Sequence, residues 1–197
     1  MGRIIAIANQ KGGVGKTTTA INLSSSLASM NKKVLSLDMD PQGNMTSGLG
    51  VDKDEAEKTV YDLIIGNAGV EECICKDALE NIDVLPSNID LSAAEIELIG
   101  VENKEYILKN EIDKVKDEYD FIIIDCPPAL SMLTINAMTT ADSVIVPIQC
   151  EYYALEGLSQ LIHTIELVKE RLNPDLEIEG VVFTMYDART NLSLQVV

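Results

Sequence analysis

The sequence predicts an α/β fold, a mostly parallel sheet with helices on both faces. Three observations lead there. Apolar, strand-like runs alternate with longer segments of helical period. Several of those runs, such as Phe121-Ile122-Ile123-Ile124 and Ser143-Val144-Ile145-Val146, are apolar without a break, as strands buried on both faces are. A stretch rich in Gly, Asp, Asn and Ser, 39–60, follows a strand end, where such folds carry functional loops.

Strands are expected near 3–8, 33–38, 81–85, 120–125, 143–148 and 178–185. Helical periodicity is clearest at 16–30, 104–118 and 153–172, and in the last Leu155, Leu158, Leu161, Ile162, Ile165 and Val168 fall on one stripe. Asn173-Pro174 ends that helix. Residues 190–197 look like the first two turns of a helix with no Gly cap or Pro beyond, so a chain truncated at its C-terminus is expected. Repeats and low-complexity tracts are absent from the sequence.

At 197 residues and 46% hydrophobic, the chain can bury one sizeable core, and a single domain over 1–197 is the expectation. No apolar run reaches the roughly 18 residues of a membrane span, and Met1-Gly2-Arg3-Ile4 leads directly into a strand-like segment. A cytoplasmic, soluble protein with no membrane partner is expected. Four scattered cysteines are too few for a disulfide framework, and Cys73-x-Cys75 lacks further ligands nearby. The lone histidine, His163, sits in a helical pattern and reads as a surface or core-edge residue. A formal charge of −17 opposes a uniformly basic nucleic-acid surface and leaves room only for a local patch.

The chemistry is concentrated after the first strand. Ile4-Ile5-Ala6-Ile7-Ala8 runs into Asn9-Gln10-Lys11-Gly12-Gly13-Val14-Gly15-Lys16-Thr17-Thr18-Thr19 and then into a helix, the strand, loop and helix order of a phosphate-binding P-loop. Glycines let backbone N–H groups turn inward around phosphate oxygens, and the helix adds its positive end. Lys16 is expected to reach the β and γ phosphates and the Thr17 hydroxyl to ligate Mg2+, so the loop Lys11 to Thr18 reads as the site of a nucleoside triphosphate. The first glycine of the usual pattern is replaced by Gln10, and an additional lysine, Lys11, precedes Gly12-Gly13.

Two further strand ends carry carboxylates. In Val34-Leu35-Ser36-Leu37-Asp38-Met39-Asp40-Pro41-Gln42-Gly43-Asn44, the period of two puts Asp38 and Asp40 on one side, toward the loop; the alternative is a carboxylate pair that caps a turn. Phe121-Ile122-Ile123-Ile124-Asp125-Cys126-Pro127-Pro128 is a buried strand ending in an aspartate suited to hold Mg2+ through water.

These segments resemble the ParA/MinD family of deviant Walker A ATPases, within the P-loop NTPase fold. The closest likeness is to the chromosome- and plasmid-partitioning, Soj-like ParA branch. The matching residues are the loop with Lys11, Asp40-Pro41-Gln42-Gly43-Asn44 with Thr46-Ser47-Gly48-Leu49-Gly50, Asp125-Cys126-Pro127-Pro128, and Gln149-Cys150-Glu151-Tyr152-Tyr153-Ala154-Leu155-Glu156-Gly157-Leu158. The resemblance implies an ATPase that uses ATP and Mg2+, with Thr17, Asp38 and Asp125 at the metal. In it Lys11 contacts the nucleotide of the partner subunit, and Asp40 orients the attacking water. It also implies an ATP-sandwich homodimer, nonspecific DNA binding by that dimer, nucleoid association, and release on hydrolysis stimulated by a ParB-like partner. Such proteins continue for several tens of residues beyond the position of Val197.

Thr184-Met185-Tyr186-Asp187-Ala188-Arg189-Thr190-Asn191-Leu192 matches a DNA-contact region of that branch, with Arg189 as the candidate; the alternative is an arginine that pairs with Asp187 or caps a helix. Two rivals remain. A MinD-like membrane-site regulator would need a basic amphipathic C-terminal helix, which the sequence does not show. An iron–sulfur protein similar to the nitrogenase iron protein would need a cysteine within Ala129-Leu130-Ser131-Met132-Leu133, where there is none.

Overall fold

The computed structural model describes residues 2–150, 154–187 and 189, with the backbone alone at 154–156. The expectations placed on Glu151 to Tyr153, on the side chain of Leu155 and on 190–197 lie outside the described residues. In chain order the elements are β1 (Arg3–Ile7), α1 (Lys16–Ser29), β2 (Val34–Asp38), α2 (Asn44–Gly48), α3 (Val60–Ile64) and α4 (Val70–Cys73). Then come β3 (Cys75–Leu79), β4 (Ile82–Leu85), α5 (Leu91–Glu97), α6 (Ile107–Ile112), β5 (Phe121–Asp125), α7 (Met132–Thr140), β6 (Ser143–Gln149), α8 (Ala154–Arg171) and β7 (Glu177–Thr184).

The strands form one sheet in the order β3-β4-β2-β5-β1-β6-β7. Every neighbouring pair is parallel except β3 with β4. Alternation along each strand divides the core in two. Ile4, Ala6, Leu35, Leu37, Ile122 and Ile124 face the larger cluster, which is closed by α3 to α8. Ile5, Ile7, Val34, Ile123 and Val84 face the other, closed by Ala20 and Ala28 of α1 and Met45 of α2. The unbroken apolar strands are thus buried on both faces, as their composition implies.

The departures from expectation have physical causes. β3, whose middle residues Lys76 and Asp77 are exposed, is an antiparallel edge strand with too little apolar alternation to announce itself. α7 is buried nearly all round, so it has no amphipathic period. The single helix expected over 104–118 is broken into a 3-10 turn, Lys104–Tyr106, then α6, then a second 3-10 turn, Lys116–Glu118. Asn136 of α7 makes the first break: its Oδ1 accepts from the Leu108 N–H at 3.2 Å and its Nδ2 donates to the Lys104 carbonyl at 2.9 Å. Those are the two groups that an unbroken α-helix would join to each other. The 39–60 stretch is a loop interrupted by α2, and His163 is exposed on α8.

Candidate phosphate-binding site

Sheet order gathers the site. β2, β5 and β1 are adjacent, and the register sets Asp38 beside Asp125 and Asp125 beside Ile7. The loop leaving β1 and the two aspartates therefore emerge at one carboxyl edge, where open α/β sheets bind ligands.

The loop is anchored on its far side by residues other than its glycines. Asn9 donates to the Pro147 carbonyl at 2.8 Å and accepts from the Lys11 N–H at 3.0 Å. Gln10, where the usual pattern has glycine, donates to Gln160 Oε1 of α8 at 2.7 Å. Gly15 then turns the chain into α1 with φ of 89° and ψ of 25°, a left-handed conformation that a side chain would resist. The N-terminus of this helix, with Lys16 as its first residue, opens toward the loop.

Lys16 is buried, and its ammonium donates to the Lys11 carbonyl at 3.1 Å. Burial lowers its pKa, opposed by the nearby carboxylates of Asp125 and Asp40. A cleft of about 370 Å³ opens beside it, lined by Gly12, Gly13, Gly15, Lys16, Thr17 and Thr18 of the loop, by Asp40, Gln42 and Asn44, and by Pro128 and Met185. Of the residues expected at the site, Lys11, Val14, Asp38 and Asp125 are not among those that line this cleft. Gln42, Asn44 and Met185 were not anticipated as lining residues. The first two belong to the segment read as carrying Asp40, whereas Met185 belongs to the segment matched to a DNA-contact region, with nothing in the sequence to place it at the phosphate loop.

The three aspartates differ in what holds them. Asp40, nearly buried, accepts from the Gln42 N–H at 2.9 Å and lines the cleft. Asp38 is turned inward. Its Oδ1 accepts from the Asp40 N–H at 3.1 Å, and its Oδ2 accepts from the N–H and the hydroxyl of Thr46, each at 2.8 Å. Burial raises its carboxyl to about 6 despite those bonds. Asp38, expected at the metal, has both oxygens engaged in shaping the turn into α2, the arrangement of the capping alternative. Gly43 lies in that turn with φ of 62°, and a Cβ there would stand 2.7 Å from the Ser87 carbonyl oxygen.

Asp125 is the opposite case. Both carboxylate oxygens are buried and neither has a hydrogen-bond partner. Burial lifts the carboxyl to about 7; the Thr17 hydroxyl pulls it down without reaching ordinary hydrogen-bond geometry, Asp38 and Asp40 push it up, and Lys16 counters them. A buried carboxylate left without donors, beside a threonine hydroxyl and at the edge of a phosphate loop, fits a hard divalent cation such as Mg2+. Cys126 next to it is fully buried, and burial raises its thiol well above the ordinary value, so it packs rather than reacts.

Arg189 is highly exposed and pairs with Asp187 through Nε, at 2.9 Å, and Nη2, at 2.7 Å. This is the pairing alternative, and any phosphate at Arg189 competes with Asp187 for it. A larger cavity, about 710 Å³, lies elsewhere, among α3 to α6. Its carboxylates Glu72, Glu97 and Glu111 repel an anion, so size does not decide the site.

Comparison with known proteins agrees with this geometry. The AAA domain family matches residues 2–178. The sporulation initiation inhibitor protein Soj of Bacillus subtilis is 58% identical over 197 residues, all of this chain and 78% of that protein. The chromosome partitioning protein ParA of Myxococcus xanthus is 54% identical over 197 residues, all of this chain and 70% of that protein. Among solved structures, cobyrinic acid a,c-diamide synthase from Mycobacterium smegmatis with bound ATP analogue and magnesium superposes with a TM-score of 0.95 at 41% identity, covering 100% of this chain and 80% of that one. A putative plasmid partition protein from Borrelia burgdorferi bound to AMPPNP superposes with a TM-score of 0.85 at 30% identity, covering 99% and 80%.

Proposed function

This chain belongs to the AAA domain family, in the branch of the Soj and ParA partitioning proteins, and from that premise we propose that it is an Mg-ATP-dependent partitioning ATPase working as a dimer switch. The observation that carries the reading is the buried carboxylate of Asp125, without a partner of ordinary hydrogen-bond geometry, close to Thr17 and Lys16 of the glycine loop. Partitioning names accompany identities of 54% and 58%, above the 41% of the synthase, which favours partitioning over cobyrinic acid chemistry.

Each residue then has a physical task. Backbone N–H groups from Gly12 to Thr18 and the start of α1 surround the phosphates. Lys16 leaves the Lys11 carbonyl for the β and γ oxygens, an exchange of a neutral acceptor for charged ones. Thr17 and Asp125 hold Mg2+, which when bound neutralises charge on the phosphate oxygens. Asp38 acts indirectly, through the turn that presents Asp40, and Asp40 orients the attacking water from the cleft wall. Lys11 acts across a dimer interface, on the nucleotide of the second subunit.

The ATP-bound dimer binds DNA without sequence preference, with Arg189 among its contacts, and a ParB-like partner stimulates hydrolysis and release. No helix among the described residues is long and apolar enough to cross a membrane. The test is the mass in size-exclusion chromatography without nucleotide, with ADP and with ATP. ATP alone should give the dimer, and Asp40→Ala should keep it assembled while hydrolysis slows about 100-fold, because ground-state phosphate contacts survive. A mass that ignores nucleotide contradicts the switch.

A further inference from the structure

One contact joins the phosphate loop to a strand two places away in the sheet. Thr184, the last residue of β7, donates its hydroxyl to the Val14 carbonyl oxygen at 2.8 Å. Its γ-methyl stands 3.3 Å from where a Cβ on Gly15 would be, so a side chain at residue 15 would crowd Thr184. β6 lies between β1 and β7, so neither sheet pairing nor chain neighbourhood imposes the contact. Thr184 is held in turn by the Cys150 N–H, which donates to its carbonyl at 3.4 Å.

The consequence follows from the peptide plane. In a trans peptide the C=O of Val14 and the N–H of Gly15 point in opposite directions, and the described chain contains no cis bond. A hydroxyl that holds the Val14 carbonyl outward therefore turns the Gly15 N–H toward the inside of the loop. Among the described residues that N–H meets no backbone acceptor.

The other end of the contact leads directly into the segment that carries Arg189. Met185, adjacent to Thr184, has φ of 52°, an uncommon left-handed conformation for a residue with a side chain, and it lines the phosphate cleft. Asp187 and Arg189 pair two residues farther on.

We infer that Thr184 is a positioning residue. It aims the Gly15 N–H at the phosphates, and it makes nucleotide binding and the arrangement of Met185 to Asp187 depend on each other. The inference rests on the phosphate-binding reading of the loop and goes beyond it by naming the link between that loop and the exposed segment after β7. Because coupling of two sites is reciprocal, whatever fixes this segment also tightens the loop.

The test is calorimetric titration of the full chain with Mg-ADP, for the wild type, Thr184→Val and Thr184→Ser, together with hydrogen exchange at Met185, Tyr186 and Asp187 with and without ADP. Valine keeps the shape and removes the donor, so ADP affinity should fall about three- to tenfold, the range of one neutral hydrogen bond. Serine keeps the donor and should bind within about twofold of wild type, within the scatter of such contacts. ADP should slow exchange at those amides in the wild type and serine proteins, and should do so much less in the valine protein at equal saturation. A merely structural threonine would lower the melting temperature of Thr184→Val and leave both readouts unchanged, which overturns the inference. Failure of the wild type to bind ADP would instead overturn the phosphate-loop reading beneath it.

Discussion

Two aspartates buried in the same sheet are treated in opposite ways. Asp83 on β4 accepts from the Asp77 N–H at 2.8 Å and the Tyr119 hydroxyl at 2.7 Å, and pairs with the Lys76 ammonium at 3.2 Å. Burial alone would raise its carboxyl, yet those three donors bring it below the ordinary value. Lys33 and Lys76 lie 5.4 and 5.1 Å from the Tyr119 ring, so the cluster is closed with cations. Neither oxygen of Asp125 has a partner of ordinary hydrogen-bond geometry, the Thr17 hydroxyl standing near but short of it, and the carboxyl rises to about 7. A carboxylate that serves the fold arrives with its partners; one that serves a ligand is left short of them, and the fold bears the cost.

The contrast can be broken most strongly at Lys16, the cation of the unsatisfied cluster. Lys16→Ala removes charge-assisted contacts to two phosphate oxygens, each worth roughly 1.5–3 kcal/mol, so Mg-ATP affinity should fall about 100-fold or more. Calorimetric titration reads this directly, and unchanged affinity removes the phosphate-loop assignment. At the satisfied cluster the loss should appear in folding instead. Asp83→Ala strands the Tyr119 hydroxyl and the Asp77 N–H, at about 2–3 kcal/mol once the exposure of Lys76 is discounted. Denaturant titration should show that loss with nucleotide affinity intact.

A smaller effect comes from pH. Asp125 and Asp38 have folded values, about 7 and about 6, above their unfolded ones. The stability they contribute while protonated is complete below the unfolded value and is lost as pH rises through 6 to 7. The Mg2+-dependent part of ADP affinity should run the other way, since it needs ionised Asp125, and should rise by at most about tenfold per pH unit up to 7. Asp83, with a lowered value, contributes stability above its unfolded value and loses it in acid. Denaturant titrations carried from about pH 8 down to about pH 3 distinguish the two clusters, since the Asp83 contribution is flat near neutrality and falls only in acid, below the ordinary carboxylate range, while that of Asp125 and Asp38 falls as pH rises toward 7.

The parts legible in the sequence were those with local causes. The glycine loop, the apolar strands ending in Asp38 and Asp125, and α1 follow from spacing and period. What was hidden depends on neighbours distant in sequence. Asn136 breaks a helix that has an adequate period of its own, because it captures both groups of one backbone hydrogen bond. Asp38 stands in a local motif, whereas the bonds its Oδ2 accepts from Thr46 join positions eight apart that no period links. Gln10 looks like a lost glycine, yet its side chain ties the loop to α8. Thr184 lies 170 positions from Val14, and no local pattern joins them.

The central claim, that Asp125 is kept unsatisfied in order to receive the metal of a bound nucleotide, is tested most directly by Asp125→Asn. Two quantities are measured at pH 8: unfolding free energy without ligand, and ADP affinity with and without Mg2+. The neutral amide should stabilise the ligand-free protein, by on the order of 1–3 kcal/mol, because an ionised buried group is removed. It should also abolish the gain in ADP affinity that Mg2+ gives the wild type. Destabilisation like that of Asp83→Ala, or a Mg2+ gain that survives the substitution, would contradict the account.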